Sequence, residues 1–144
     1  MTTEDCPFEF GKALLVANKN PEHQRSVGII VTGILTQEAL RAANQLEEQG
    51  IGASVLHMGT VKPLDEAAVL ECAQNHDVII TLEEHQRAGG LGGAVTEFLT
   101  QAHPTQVIRL GVDDQFGQSG TMEELWKHYG LDATAVVREA IAVL

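Results

Sequence analysis

Basic residues are scarce in this chain of 144 residues. Nine lysines and arginines stand against twenty aspartates and glutamates, so the formal net charge is −11. The basic residues form no cluster anywhere in the sequence. Proteins bind nucleic acids and anionic membranes through such clusters, so we expect neither as a partner. No apolar run reaches the ~18 residues of a membrane-spanning helix, so we expect no membrane span.

Cysteine is also rare. The two cysteines, Cys6 and Cys72, show no CxxC spacing and no secretory context, which favours a reduced, cytoplasmic setting. The acidic start at residues 1–5 does not resemble a targeting peptide. Cys72 falls in a predicted helix beside other apolar residues. We therefore expect its thiol to be buried and inert.

The length of the chain indicates one domain. We expect residues 1–8 to be a flexible lead-in and residues 9–144 to fold together. Through the later two-thirds of the chain, short β-branched runs alternate with segments of helical apolar periodicity. This alternation predicts an α/β fold, in which a mostly parallel sheet carries helices on both faces as a three-layer α/β/α sandwich.

Five segments have the composition of strands. They are residues 12–17, 26–32 and 53–58, a run that starts at residue 78, and residues 107–110. A short polar turn joins the first two segments. This arrangement is compatible with an antiparallel pair and with a first strand that crosses to an edge of the sheet, and the pattern does not decide between them.

Polar residues mark the expected starts of the helices. Thr36, Asp65 and Asp132 are predicted N-caps, because their side-chain oxygens can accept from free N–H groups of the first helical turn. Thr121 and Glu124 match a capping box ahead of a short helix.

Residues 78–95 hold the most informative pattern: a buried strand, two carboxylates, a histidine, four glycines and a helix. In open α/β sheets, ligands and partners meet the protein at the carboxyl ends of strands. Glu83, Glu84 and His85 could therefore supply acid/base or metal-binding groups. The alternative is that one glutamate fixes a neighbouring loop while the others lie in solvent or at an interface. Since side chains alternate along a strand, we expect Glu84 to point away from Glu83 and His85.

The glycines of this stretch also have two interpretations. Gly89, Gly90 and Gly92 could cradle a phosphate at the N-terminus of the following helix. Their spacing, however, is neither that of a P-loop nor that of a dinucleotide fingerprint. A tight turn with close packing of helix on strand explains them equally well.

Other candidate residues follow neighbouring strands. Asp114 and Ser119 lie in a polar loop after the fifth strand, where they could contact a partner or simply face solvent. Gly33 follows the second strand and would line a small-ligand site together with residues 83–93. The six histidines have no metal-site spacing, and no nucleophile elbow is present. The residues alone therefore predict a fold without a complete active site.

Six short motifs stand in an order that resembles a known family. They are Gly33-Ile34-Leu35, Lys62-Pro63-Leu64-Asp65, Glu83-Glu84-His85, Gly89-Gly90-Leu91-Gly92, Phe116-Gly117-Gln118-Ser119-Gly120 and Tyr129-Gly130-Leu131. Together they resemble the C-terminal domain of transketolases. The same domain ends 1-deoxyxylulose-5-phosphate synthases and 2-oxo acid dehydrogenase β subunits, but the last two motifs are most similar to the transketolase branch. The resemblance implies a five-stranded mixed sheet in the order 1-3-2-4-5, with an antiparallel first strand.

The resemblance also implies a function. Transketolases use thiamine diphosphate and Mg²⁺ to move two-carbon ketol units between sugar phosphates, including pentose phosphates. In the family the cofactor binds between two other domains, one of which carries a Gly-Asp-Gly motif. This chain contains no Gly-Asp pair, so we expect no catalytic, cofactor-binding or metal-binding residue in it.

We expect the chain instead to make assembly contacts with chains or domains that carry the thiamine-diphosphate site, in a homo- or hetero-oligomer. One alternative is a stand-alone module that binds a small ligand or regulates. Another is the tail of a 1-deoxyxylulose-5-phosphate synthase or of a 2-oxo acid dehydrogenase β subunit.

Overall fold

The computed structural model describes residues 8–144. Cys6 and most of the expected lead-in lie outside the described residues. The five strands are β1 Ala13–Ala17, β2 Arg25–Val31, β3 Ile51–Met58, β4 Val78–Gln86 and β5 Val107–Val112. Each lies where the sequence predicts a strand, and β5 runs two residues past its predicted end at residue 110. β4 continues through both glutamates and the histidine of the central pattern.

The helices are α1 Thr36–Glu48, α2 Glu66–Gln74, α3 Leu91–Ala102, α4 Met122–Tyr129 and α5 Ala133–Val143. A short 3₁₀ helix, Gly33–Leu35, leads into α1. Within residues 8–144, no helix has both the length and the apolar character required to cross a membrane.

The strands form one sheet in the order β1-β3-β2-β4-β5. β1 runs antiparallel to β3, whereas the pairs β2–β3, β2–β4 and β4–β5 are all parallel. This confirms the mixed sheet that the resemblance implies. It also answers the question that the sequence pattern left open, because β1 does not pair with β2 and instead lies at the edge of the sheet beside β3.

Two apolar cores lie on opposite faces of the sheet. Val27, Ile29 and Val31 of β2 pack on one face with side chains of α1, α4 and α5. Ile30 of β2 and Ile79 of β4 pack on the other face with side chains of α2 and α3. Period-two alternation along the central strands thus builds the predicted three-layer sandwich, and burial of both apolar surfaces stabilises it.

Most of the predicted helix starts are confirmed. The Asp65 carboxylate accepts from the Ala68 N–H group at 3.2 Å, and the Asp132 carboxylate caps α5 in the same way. Thr121 and Glu124 form both halves of the capping box at α4. These caps are local contacts, which explains why the sequence reveals them.

The prediction that Thr36 is an N-cap is wrong. An N-cap residue needs extended backbone angles. Thr36 has helical angles, φ −53° and ψ −33°, because the preceding 3₁₀ helix has already begun the winding. Its hydroxyl donates backwards to the Gly33 carbonyl at 2.7 Å instead of accepting from the first turn of α1.

Candidate functional site

The candidate residues gather at one edge of the sheet, where the parallel strands β2, β4 and β5 end. After β2 the chain passes into α1 on one face, and after β4 it passes into α3 on the opposite face. This divergence leaves a switch point between β2 and β4, where α/β proteins commonly bind ligands or partners. We call this region the carboxyl edge and define it by Gly33, Glu83, Glu84, His85, Gly89, Gly90, Gly92, Asp114 and Ser119.

Glu83 is buried at the carboxyl edge, with 2% of its surface exposed. One of its oxygens accepts from the Leu91 N–H group and the other from the Gly92 N–H group, each at 2.8 Å. These donors belong to the first turn of α3, where free N–H groups and the helix dipole attract negative charge. Glu83 therefore fixes the turn after β4, as one of the two interpretations of the sequence proposed.

The glycines of the turn make this contact possible. A Cβ atom on Gly90 would overlap Glu83 Oε2, and one on Gly92 would lie 2.7 Å from Thr81 Oγ1. Gly89 has φ +80°, in the left-handed region that favours glycine. Close packing of helix on strand thus accounts for Gly90 and Gly92, and the left-handed backbone of the turn accounts for Gly89.

The same geometry bears on phosphate binding. A phosphate at the start of α3 would need the backbone N–H groups that point out of the first turn. Glu83 already occupies two of them. A second anion beside this buried carboxylate would be repelled by it, so the start of α3 does not fit a phosphate or a diphosphate.

Glu84 contacts the opposite layer of the structure. The Trp126 indole N–H donates to Glu84 Oε1. Trp126 belongs to α4, and it is buried in the core on that face of the sheet. Consecutive glutamates of β4 therefore contact α3 on one face and α4 on the other. His85 is exposed, and the three side chains do not converge on a common point as acid/base machinery would require.

A bulge lies in this part of β4. Leu82 pairs with Leu110 and Gln86 with Val112, so four residues of β4 advance against two of β5. The pairing of β4 with β5 is therefore irregular between Leu82 and Gln86, although Glu83 and Glu84 still contact helices on opposite faces of the sheet. The irregular segment holds the two glutamates and the histidine of the strand.

The loop after β5 is held at both ends. Arg87 forms an ion pair with Asp113, and the Gln118 N–H group donates to the Tyr129 hydroxyl at 3.0 Å. Between these contacts Phe116 is 96% exposed. The candidate residues Asp114 and Ser119 are exposed in the same loop.

Gly33 begins the connection after β2. It has φ +69°, and no atom lies within 4 Å of the place where a Cβ would stand. A glycine therefore suits position 33 because of this left-handed backbone conformation, and not because a side chain would lack space. The adjacent Ile34 is 44% exposed at the same edge.

A second polar cluster, which the sequence did not reveal, lies between β3 and α2. The Cys72 carbonyl oxygen can only accept a hydrogen bond, so His76 Nδ1 is the donor in their 2.7 Å contact. His76 Nε2 lies 2.9 Å from the hydroxyl of Ser54, which is 1% exposed. The Lys19 N–H group donates to the same hydroxyl at 3.1 Å. These bonds tie the β1–β2 turn to β3 and α2.

Burial controls the chemistry of this cluster. It lowers the pKa of His76, and it raises the pKa of the Cys72 thiol to about 12. The thiol is therefore protonated and is not a nucleophile at neutral pH, in agreement with the predicted inert cysteine. Among residues 8–144, no group of three or more His, Cys, Asp or Glu side chains could hold a metal ion.

The sequence matches the family described as the transketolase C-terminal domain over residues 16–136. A putative transketolase C-terminal section from Methanocaldococcus jannaschii is 38% identical over 136 residues, covering 94% of this chain and 40% of that protein. The 6-deoxy-6-sulfo-D-fructose transketolase subunit SqwH from Clostridium sp. (strain MSTE9) is 42% identical, covering 96% of this chain and 41% of that protein. The chain thus spans about two-fifths of the length of these relatives.

A solved structure has the same fold. It is described as a split gene transketolase, inactive beta4 tetramer, and is 38% identical in sequence. It superposes with a TM-score of 0.89 and covers 98% of this chain and 45% of its own.

Proposed function

The chain belongs to the transketolase C-terminal domain family, and from that membership we propose that it serves a thiamine-diphosphate-dependent transketolase as its C-terminal domain or subunit. The complete enzyme would transfer two-carbon ketol units between sugar phosphates, including pentose phosphates. In this proposal the chain supplies assembly and interface contacts and does not contain the catalytic centre.

One observation carries the proposal. The 42% identity to a transketolase subunit extends over 96% of this chain but over only 41% of the relative. The matched part therefore corresponds to one domain of a larger protein. In the complete enzyme, the catalytic residues would lie in the part of that larger protein which this chain does not match.

The carboxyl edge supports an interface role. Its buried carboxylate caps a helix and its second glutamate accepts from a tryptophan, so both already bind within the domain. The edge retains exposed groups, His85, Asp114 and Ser119, that a neighbouring surface could contact. We propose that this edge faces the chain or domain that holds thiamine diphosphate.

The cofactor would lie outside the described part of this chain. The start of α3 is filled by Glu83, and residues 8–144 offer no metal-binding group. In this proposal, no residue of 8–144 takes part in a step of the reaction. We further propose a cytoplasmic location, which the scarcity of cysteine supports.

The decisive experiment is native purification from the source cells, followed by mass spectrometry of everything that co-purifies. We expect domains that carry the thiamine-diphosphate site, either on the same polypeptide or on a tightly bound one. The purified assembly should turn over xylulose 5-phosphate with the cofactor and Mg²⁺, whereas residues 1–144 alone should not. Turnover by residues 1–144 alone would contradict the assigned role.

The alternatives give different results in the same experiment. A stand-alone module would purify without thiamine-diphosphate domains and would bind a small ligand saturably at the carboxyl edge. A synthase tail would co-purify with such domains, but its assembly would form 1-deoxyxylulose 5-phosphate. A dehydrogenase β subunit would act on 2-oxo acids. Product analysis therefore separates the branches of the family.

A further inference from the structure

Residues 113–124 form a continuously exposed stretch between β5 and the first turns of α4. Phe116 lies within it and is 96% exposed, although phenylalanine is usually buried. Met122 of the same stretch is 48% exposed. Large apolar side chains held out in this way are typical anchors of protein interfaces, where their burial supplies binding energy.

The stretch is fixed to the domain on both sides of Phe116. Arg87 pairs with Asp113 on one side, and Tyr129 accepts from the Gln118 N–H group on the other. Both contacts are made within the domain itself. Since less chain has to be ordered on binding, such a loop loses less conformational entropy than a free one would.

The charge of the stretch determines which surface fits it. Residues 113–124 include four carboxylates, those of Asp113, Asp114, Glu123 and Glu124, and no lysine or arginine. Arg87 pairs with the Asp113 carboxylate, and the other three keep the stretch acidic. Interfaces match potentials of opposite sign. A second copy presenting the same stretch would set one acidic loop against another, and the whole chain carries −11. A surface with lysine and arginine around an apolar pocket is complementary.

We propose that residues 113–120 are a docking loop whose anchor, Phe116, inserts into an apolar pocket rimmed by lysine and arginine on the chain or domain that carries the thiamine-diphosphate site. This inference rests on the proposed function, because it names the partner. It adds the surface that makes the contact and the chemistry of the surface that receives it.

Photo-crosslinking in the source cells tests the docking loop. p-Benzoylphenylalanine replaces Phe116 in the full native protein, and a matched probe replaces Ile141 of α5, which is 45% exposed. After irradiation, crosslinked peptides are identified by mass spectrometry. We expect position 116, and not position 141, to join a peptide of the thiamine-diphosphate domains that lies next to lysine or arginine.

The outcomes separate this inference from the proposed function. If the thiamine-diphosphate domains co-purify but position 116 joins only another copy of this chain, or joins nothing, the docking loop is wrong and the proposed function stands. If no such domains are present in the native assembly, both are wrong.

A binding measurement gives a second test. The domain identified by the crosslink is expressed separately and titrated with this chain. Phe116→Ser is expected to raise Kd at least about tenfold, as for an interface anchor, while Ile141→Ser leaves it within about twofold. Since Phe116 is exposed, its substitution should leave the Tm of the chain unchanged. A Kd for Phe116→Ser equal to that of Ile141→Ser would overturn the inference.

Discussion

Glu83 and Gly90 are fitted to each other across the gap between β4 and α3. Any Cβ on Gly90 would overlap Glu83 Oε2 and would lie 2.7 Å from Glu83 Cδ. The same Oε2 atom accepts from the Leu91 N–H group at 2.8 Å. The glycine makes room for the carboxylate, and the carboxylate caps the helix that the glycine precedes.

Gly90→Val should therefore destabilise the domain. The new side chain would displace Glu83 from the N–H groups of α3 and leave a buried charge with fewer partners, a change that costs about 3–5 kcal/mol. Thermal unfolding followed by circular dichroism measures the loss. Gly93→Ala is the matched control, because no atom lies within 4 Å of the added Cβ. It should be neutral or stabilising by up to ~1 kcal/mol. An unchanged Tm for Gly90→Val would contradict this fit between glycine and carboxylate.

Glu83→Gln tests the capping role by charge alone. The amide can offer only one acceptor oxygen to the two N–H groups, and it lacks the charge that the helix dipole favours. We expect the free energy of unfolding in urea to fall by about 1.5–3 kcal/mol. Glu84→Gln keeps an acceptor for the Trp126 indole and should change it by no more than about 0.5 kcal/mol. Equal losses in the two variants would argue against the distinction between these glutamates.

Cys72 should resist alkylation in the folded protein. Burial raises the pKa of its thiol to about 12, and only 8% of the residue is exposed. In a Cys6→Ser background, reaction with iodoacetamide at neutral pH should be at least about a hundredfold slower in buffer than in 6 M guanidinium. Fast labelling under native conditions would show that α2 opens readily or that the thiol is less buried than described.

Local patterns predicted much of the fold. The strands and helices, the caps at Asp65 and Asp132 and the capping box at Thr121 follow from spacing within a few residues. The resemblance added the strand order and the edge position of β1, because pairing between distant segments leaves no local pattern. The prediction of an N-cap at Thr36 was wrong for a local reason. A threonine before an apolar stripe gives the same sequence pattern whether the preceding residues are extended or already form a 3₁₀ turn.

The contacts at the carboxyl edge and in the polar cluster around His76 depend on residues far apart in sequence. Trp126 lies 42 positions from Glu84, and Ser54 lies 22 positions from His76, so no motif could pair them. Glu83 reaches forward by eight and nine residues, beyond the span of a capping box. The exposure of Phe116 was also missed, since an aromatic residue in a loop gives no signal of whether it is buried. Its position in a motif of the resemblance was the available indication.

The stability of the domain should fall as the pH decreases through the histidine range. The pKa of His76 is lowered from 6.5, first by burial and also by the charge of Lys19, while its bond to the Cys72 carbonyl and the charge of Asp77 act in the opposite direction. Burial lowers the pKa of His57 as well. A histidine with a lower pKa in the folded state binds fewer protons folded than unfolded, so protonation favours unfolding. This stability is fully present above pH 6.5 and is lost as the pH falls from 6.5 towards the folded pKa.

Thermal melts between about pH 5.5 and 8 check the sign. The Tm should be flat at the upper end and should decline below about pH 6.5. His76→Gln removes one of the two groups, so its Tm should be lower at pH 8 but should depend less on pH, with the remaining slope due partly to His57. His103→Gln is a control on a half-buried histidine outside the cluster. A Tm that rises on acidification would contradict this account. So would a dependence of Tm on pH that is the same in His76→Gln as in the wild type, because His76 would then accept a proton at no cost to folding.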